Sequence, residues 1–145
     1  MDEDLVVWDN SLTVGFDLLD DQHKKLVAMI NELIEGCKKG EAEAQAAILQ
    51  TFEKVVDYTK THFTEEEKYL AQVAYPDLEA QKKMHHQFLF EIVNLITEVD
   101  SGKTAPITMA GFLKDWLLNH IAKADKQYLP YMKKIGRKGI NTFLT

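Results

Sequence analysis

Apolar residues recur along this chain every three or four positions, the period of an α-helix with one buried face. One stripe reads Leu19, His23, Leu26, Ile30, Leu33, Cys37, and a second Phe52, Val55, Tyr58, His62, Glu66, Tyr69. A third runs Leu78, Gln81, His85, Phe88, Ile92, Leu95, Val99, and a fourth Phe112, Trp116, His120, Ile121, Ala124, Tyr128. No stretch alternates apolar and polar residues between turn signals, so no strand is predicted. Breakers separate the stripes: Gly36 with Gly40, then Pro76, then Gly102 with Pro106. The second helix is the longest, extending from Ala42 to Ala71. Pro106 suits the first turn of the fourth helix, where its missing N–H is no loss, and Pro130 should bend or end that helix. Short gaps favour antiparallel neighbours. The expectation is therefore an all-α, up-down-up-down four-helix bundle over residues 18–131, with an N-terminal arm and a short C-terminal tail.

Composition narrows the class. The 145 residues suit one domain, 1–145, with 46% hydrophobic residues, enough for a real core. A net charge of −6 disfavours a nucleic-acid partner or an anionic membrane surface, each of which needs a basic footprint. The clusters Lys82-Lys83, Lys133-Lys134 and Arg137-Lys138 are too small to reverse this. The lone Cys37 allows no internal disulfide and no thiolate cage, and reads as a small, half-buried apolar residue. The start, MDEDLVVWDN, is acidic where a secretory signal would be basic, and no apolar run approaches the ~20 residues that span a bilayer. A cytoplasmic protein is expected; its composition indicates no particular protein partner.

The residues that interrupt the stripes carry the chemistry. A bundle core favours Leu, Ile, Val and Phe, yet each stripe brings an ionisable or amide group inward: His23, His62 with Glu66, Gln81 with His85, and His120. A single buried histidine is usually a core residue bonded to a carbonyl. Four helices converging such groups at similar depth need a common partner, and a buried carboxylate without one costs several kcal/mol or is neutralised. A shared metal satisfies them together. His62 and Glu66 are one helical turn apart, ~40° in direction and ~6 Å along the axis, and Gln81 and His85 repeat that relation. Imidazoles and carboxylates without thiolate suit iron, zinc or manganese. Asp125 is the candidate second acid, and four histidines with two carboxylates exceed what one tetrahedral zinc uses, so two irons fit better. Glu65 and Glu67, at neighbouring angles, are expected on a solvated face.

His120 and Asp125 pose a geometric problem. They are five residues apart, ~140° around an ideal helix, and would not meet at one point. A single wide π-type turn would bring both to one face, so an i→i+5 hydrogen bond is predicted between His120 and Asp125.

The order of motifs resembles the bacterial hemerythrins. The matching pieces are Trp8 and Gly15, Asp20-Asp21-Gln22-His23-Lys24-Lys25-Leu26, His62-Phe63-Thr64-Glu65-Glu66, Tyr75-Pro76, Gln81-Lys82-Lys83-Met84-His85, and Trp116-Leu117-Leu118-Asn119-His120 with Asp125. The likeness covers nearly the whole chain, from Leu5 to Tyr131. It implies two iron ions (Fe2+/Fe3+) with an oxo or hydroxo bridge, one held by His23 and His62, the other by His85 and His120, with Glu66 and Asp125 bridging. It also implies dioxygen as the ligand, bound at an open position, with Ile121, Phe63 and Trp116 as candidate walls of the oxygen pocket. The same aromatic and aliphatic side chains would also serve as ordinary core.

Gln81 departs from the family pattern, which has HxxxH on the third helix. Water can fill the position, the amide oxygen can bind weakly, or the second iron can be lost; the expectation is a retained pair with one open or water-filled position. His86 is no substitute, lying ~100° round the helix from His85. The implied function is reversible dioxygen binding for storage, delivery or sensing. The alternative is a metal-dependent enzyme that handles peroxide or nitric oxide through the position left by Gln81. No general base is evident outside the ligand set, so an oxygen-binding protein is favoured over an enzyme.

Overall fold

In a computed structural model of the chain, residues 5–132 are described. Helix α1 spans Asp17–Cys37, α2 Glu41–Gln72, α3 Leu78–Asp100 and α4 Pro106–Asn119; beyond α4 come a π turn at His120–Ala124, a 3-10 turn at Asp125–Tyr128 and a short α5 at Leu129–Met132. No strand occurs among the described residues. The short C-terminal tail with its basic residues lies outside them. No helix of the described chain is long and apolar enough to cross a membrane.

The four long helices form an up-down-up-down bundle, α1 packing against α2 and α4, and α3 completing the ring between α2 and α4. Each connection has a local cause. Gly36 lets α1 approach α2, since a Cβ there would come 2.8 Å from Ala47 Cβ. Gly40 opens α2 at φ 131°, a left-handed conformation that side chains resist. Ala74 accepts a positive φ of 55° in the tight closure after α2, where Tyr75 N–H donates to Leu70 O at 2.9 Å and Ala74 N–H to Ala71 O at 3.1 Å. This is the Schellman pattern of a helix end. Pro106 begins α4, as its missing N–H allows. Pro130 does not end the fourth helix; the regular ladder stops ten residues earlier, at the π turn.

The core is apolar at one end of the bundle and polar at the other. Ile30, Leu33, Ile34, Ile48, Val55, Ile92, Met109 and Leu113 are all buried at the middle and far end. Each such side chain contributes about 1.5–3 kcal/mol on burial, so this half can support a polar cluster elsewhere. The stripes are right in phase but not in every member. On α2, Thr59 and Leu70 are buried while Tyr58 and Tyr69 sit on the shoulder. On α4 the deepest line is Met109, Leu113 and Leu117, with Phe112 and Trp116 at its flank. The buried face of a helix exceeds a single line of side chains, so its edges go to whichever neighbour is large enough to reach them.

The N-terminal arm is fixed to α1. Val6 and Asn31 exchange two hydrogen bonds of 2.8 and 2.9 Å, and the buried carboxylate of Asp20 accepts Val14 N–H at 2.8 Å and Thr13 Oγ1–H at 2.5 Å. The arm's turn at Asn10–Leu12 meets the π turn, closing the polar end of the bundle.

Candidate metal centre

Alternating helix direction puts the start of α1, the end of α2, the start of α3 and the end of α4 at the same end of the bundle. These segments carry His23, His62 with Glu66, His85, and His120 with Asp125. All six side chains are buried, none more than 5% exposed. The π turn forms where expected: Asp125 N–H donates to His120 O, an i→i+5 bond, and also to Ile121 O. The extra residue in that turn brings Asp125 round to the face of His120.

The two carboxylates stand between two pairs of imidazoles. Glu66 Oε2 lies 3.4 Å from His62 Nε2 and 3.6 Å from His23 Nε2. Its other oxygen, Oε1, lies 2.9 Å from His85 Nε2 and 3.5 Å from His120 Nε2. Asp125 repeats the arrangement, with Oδ2 3.2 Å from His23 Nε2 and Oδ1 2.9 Å from His120 Nε2. Ligand atoms of His23, His62 and Glu66 lie within 4.8 Å of one another, as do those of Glu66, His85 and His120. Glu66 belongs to both groups.

Several of these atoms are close but not aligned as hydrogen bonds. His23 Nε2, His62 Nε2 and both Asp125 oxygens are buried with no hydrogen-bond partner. Buried polar atoms without partners are rare, because each costs about 1–3 kcal/mol. Lone pairs converging from several directions are what a cation requires, and a donor set of imidazoles and carboxylates suits iron, zinc or manganese. The residues present therefore fit a pair of metal ions.

The electrostatics of the cluster are mutual. Burial alone would raise Glu66, yet His120, His23, His62 and His85 around it hold its carboxyl well below the usual range. Burial opposes protonation of His23, but Asp125 and Glu66 outweigh it and push that imidazole up to about 9. The same acids push His120 up to about 10 against its own burial. His62 moves the other way, lowered by burial and by His23 beside it.

A second layer holds the rings. His62 Nδ1 lies 2.7 Å from Gln22 Oε1, and His85 Nδ1 lies 2.7 Å from Glu67 Oε2. Tyr128, wholly buried, donates its hydroxyl to Glu66 Oε2 at 3.0 Å, and burial with the nearby Asp125 and Glu66 pushes its phenol well above the usual value. Glu67 thus corrects the expectation of a solvated face. Its angle on α2 is off the buried line, but its length lets it reach across to α3. The only available signal for Gln22 and Glu67 was that each adjoins a ligand candidate, His23 and Glu66.

Of the expected wall residues, Phe63 stacks on His85 with ring centres 3.8 Å apart and planes at 5°. Trp116 stacks on His120 at 4.4 Å, and Ile121 is fully buried beside it. Gln81 is buried one turn before His85 on α3, at 2% exposure, while His86 is exposed and does not take its place.

Residues 14–132 match the hemerythrin family, described as the hemerythrin HHE cation binding domain. A bacteriohemerythrin of Pseudomonas paraeruginosa is 34% identical over 124 residues, covering 86% of this chain and 79% of that protein. The myohemerythrin of Sipunculus nudus is 35% identical over 127 residues, covering 86% of this chain and 92% of that one. A crystal structure of wild-type hemerythrin superposes with a TM-score of 0.75 at 28% identity, covering 89% of this chain and 98% of that chain.

Proposed function

Because the chain belongs to the hemerythrin family, we infer that it is a non-haem di-iron protein that binds dioxygen reversibly, for storage, delivery or sensing. The observation that carries this reading is the pair of buried imidazole groups that share Glu66 and are spanned by Asp125, with unpartnered lone pairs turned toward one another. In this reading His23 and His62 on one side and His85 and His120 on the other would hold two irons, with Glu66 and Asp125 shared between them and an oxo or hydroxo group completing the centre. Bound there, the irons would supply the electrons for taking up dioxygen. The chain supplies the rest. Four helices bring these side chains together at one end of the bundle. Phe63, Trp116 and Ile121 exclude water from the His85–His120 side, and Tyr128 holds one oxygen of Glu66. Residues 1–145 act as one domain in the cytoplasm, with dioxygen rather than nucleic acid or membrane as partner.

The buried amide at position 81 supports a second reading. A neutral oxygen donates more weakly than imidazole, so that side of the centre can keep a water-filled position open to peroxide or nitric oxide. The experiment that separates the two is iron analysis, anaerobic reduction and stepwise air titration followed by absorbance. A pair of irons per chain and an absorption band that comes and goes with air over repeated cycles is the expected result. Irreversible bleaching with consumption of added peroxide would establish the enzyme instead, and a protein that takes up no iron would sink both.

A further inference from the structure

Among the described residues, two of the clustered imidazoles show a side-chain partner on the nitrogen facing away from the centre, and the partners differ in charge. His62 has the neutral amide oxygen of Gln22 and His85 the carboxylate of Glu67, each at 2.7 Å. An amide or carboxylate oxygen accepts, so a hydrogen on Nδ1 fits both contacts and would leave Nε2, which on His85 lies 2.9 Å from Glu66 Oε1, free to offer its lone pair to a cation. On His85 two constraints then act at right angles. Phe63, stacked at 5°, sets the plane of the ring, and Glu67 sets which edge of that plane meets Glu66 and His120.

The charge difference coincides with the difference in ligands. His62 lies on the side that has its full family complement, whereas His85 lies one turn after Gln81, where the family has another imidazole. A hydrogen bond to a carboxylate is roughly twice as strong as one between neutral groups, and it shifts electron density into the ring. We propose that Glu67 is a positioning residue of the metal centre: by accepting the Nδ1–H of His85 it fixes that ring's tautomer and angle and strengthens Nε2 as a donor, offsetting the imidazole absent at position 81. The proposal rests on the metal-binding reading above. Glu67 is 24% exposed while His85 is 1% exposed, so the carboxylate reaches in from the rim and can be replaced without opening the core.

Zinc loading of wild type, Glu67→Gln and Glu67→Leu tests this without dioxygen chemistry. Competition with a chelator reads the two affinities, and nitrogen-15 spectra of the diamagnetic protein read the His85 Nδ1–H. Glu67→Leu should lose that proton signal and weaken the His85–His120 side by about 10–100-fold, leaving the His23–His62 side unchanged. Glu67→Gln keeps an acceptor of similar shape, so it should retain the signal and recover only part of the affinity. The iron-loaded Gln variant should also have a more positive reduction potential than wild type, because a negative charge has been removed from the ring's partner. If both affinities and the Nδ1–H signal are unchanged in Glu67→Leu, Glu67 has no such role, whereas a wild type that binds no zinc overturns the metal-binding reading and this proposal together. Circular dichroism of the Leu variant separates loss of fold from loss of a ligand, and the Gln variant carries the comparison if the Leu variant does not fold.

Discussion

A carboxylate removed from water survives only where cations or donors replace the water, and Glu66 has both kinds of neighbour. Its oxygens divide between two pairs of imidazoles, and Tyr128 donates to one of them. Tyr128→Phe keeps the ring and deletes that donor. It should lower stability by about 1.5–3 kcal/mol, the usual value for a hydrogen bond to a charged group, as read by urea unfolding. An unchanged midpoint would mean that the hydroxyl contributes nothing there. Cys37 shows burial acting by itself on a thiol. Burial pushes its thiol up, so at neutral pH less thiolate is present than in the unfolded chain. Iodoacetamide should modify the native protein more slowly than the urea-unfolded one. The native rate should go on climbing at pH values where the unfolded rate has levelled. Coincident pH profiles would refute this.

Among the elements, two departures from regular helix decide the geometry. The π turn at His120–Ala124 turns a five-residue spacing into one shared face, which an ideal helix cannot do. The Schellman closure after α2 sends the chain into α3 with Leu70 and Tyr75 both buried. That closure places alanine where glycine is usual, at φ 55°. A left-handed conformation costs an L-residue roughly 1–2 kcal/mol, offset by the 0.5–1 kcal/mol that glycine loses in conformational freedom. Ala74→Gly should therefore be neutral to stabilising, by up to about 1.5 kcal/mol, and thermal unfolding measures it. A clear loss of stability would show that the alanine side chain does more than tolerate the turn.

For the whole molecule, one polar end and one apolar end imply that metal and fold are thermodynamically linked. Ligand atoms that converge only in the folded chain bind ions in that state, and binding stabilises it. At a free-ion concentration about a thousand times the dissociation constant, the gain is roughly 4 kcal/mol, on the order of 10 °C in a domain of this size. Removing iron with a chelator should lower the melting temperature by that amount and leave helical circular dichroism largely intact below the transition, since the apolar half retains its core. Complete unfolding on chelation would mean that this half cannot stand alone.

The helical period, the order of the helices and the inward direction of His23, His62, Glu66, His85 and His120 can be read from the chain's spacing, because side-chain direction along a helix follows from spacing alone. The sequence also required the wide turn before Asp125, since no regular helix reconciles that spacing. Which oxygen of Glu66 faces which imidazoles, and the reach of Gln22 and Glu67 to rings on the next helix, emerge only once the helices pack. Long polar side chains at the edge of a buried face have more than one direction open to them. The packing of the neighbouring helix, which no spacing within one helix encodes, selects among those directions.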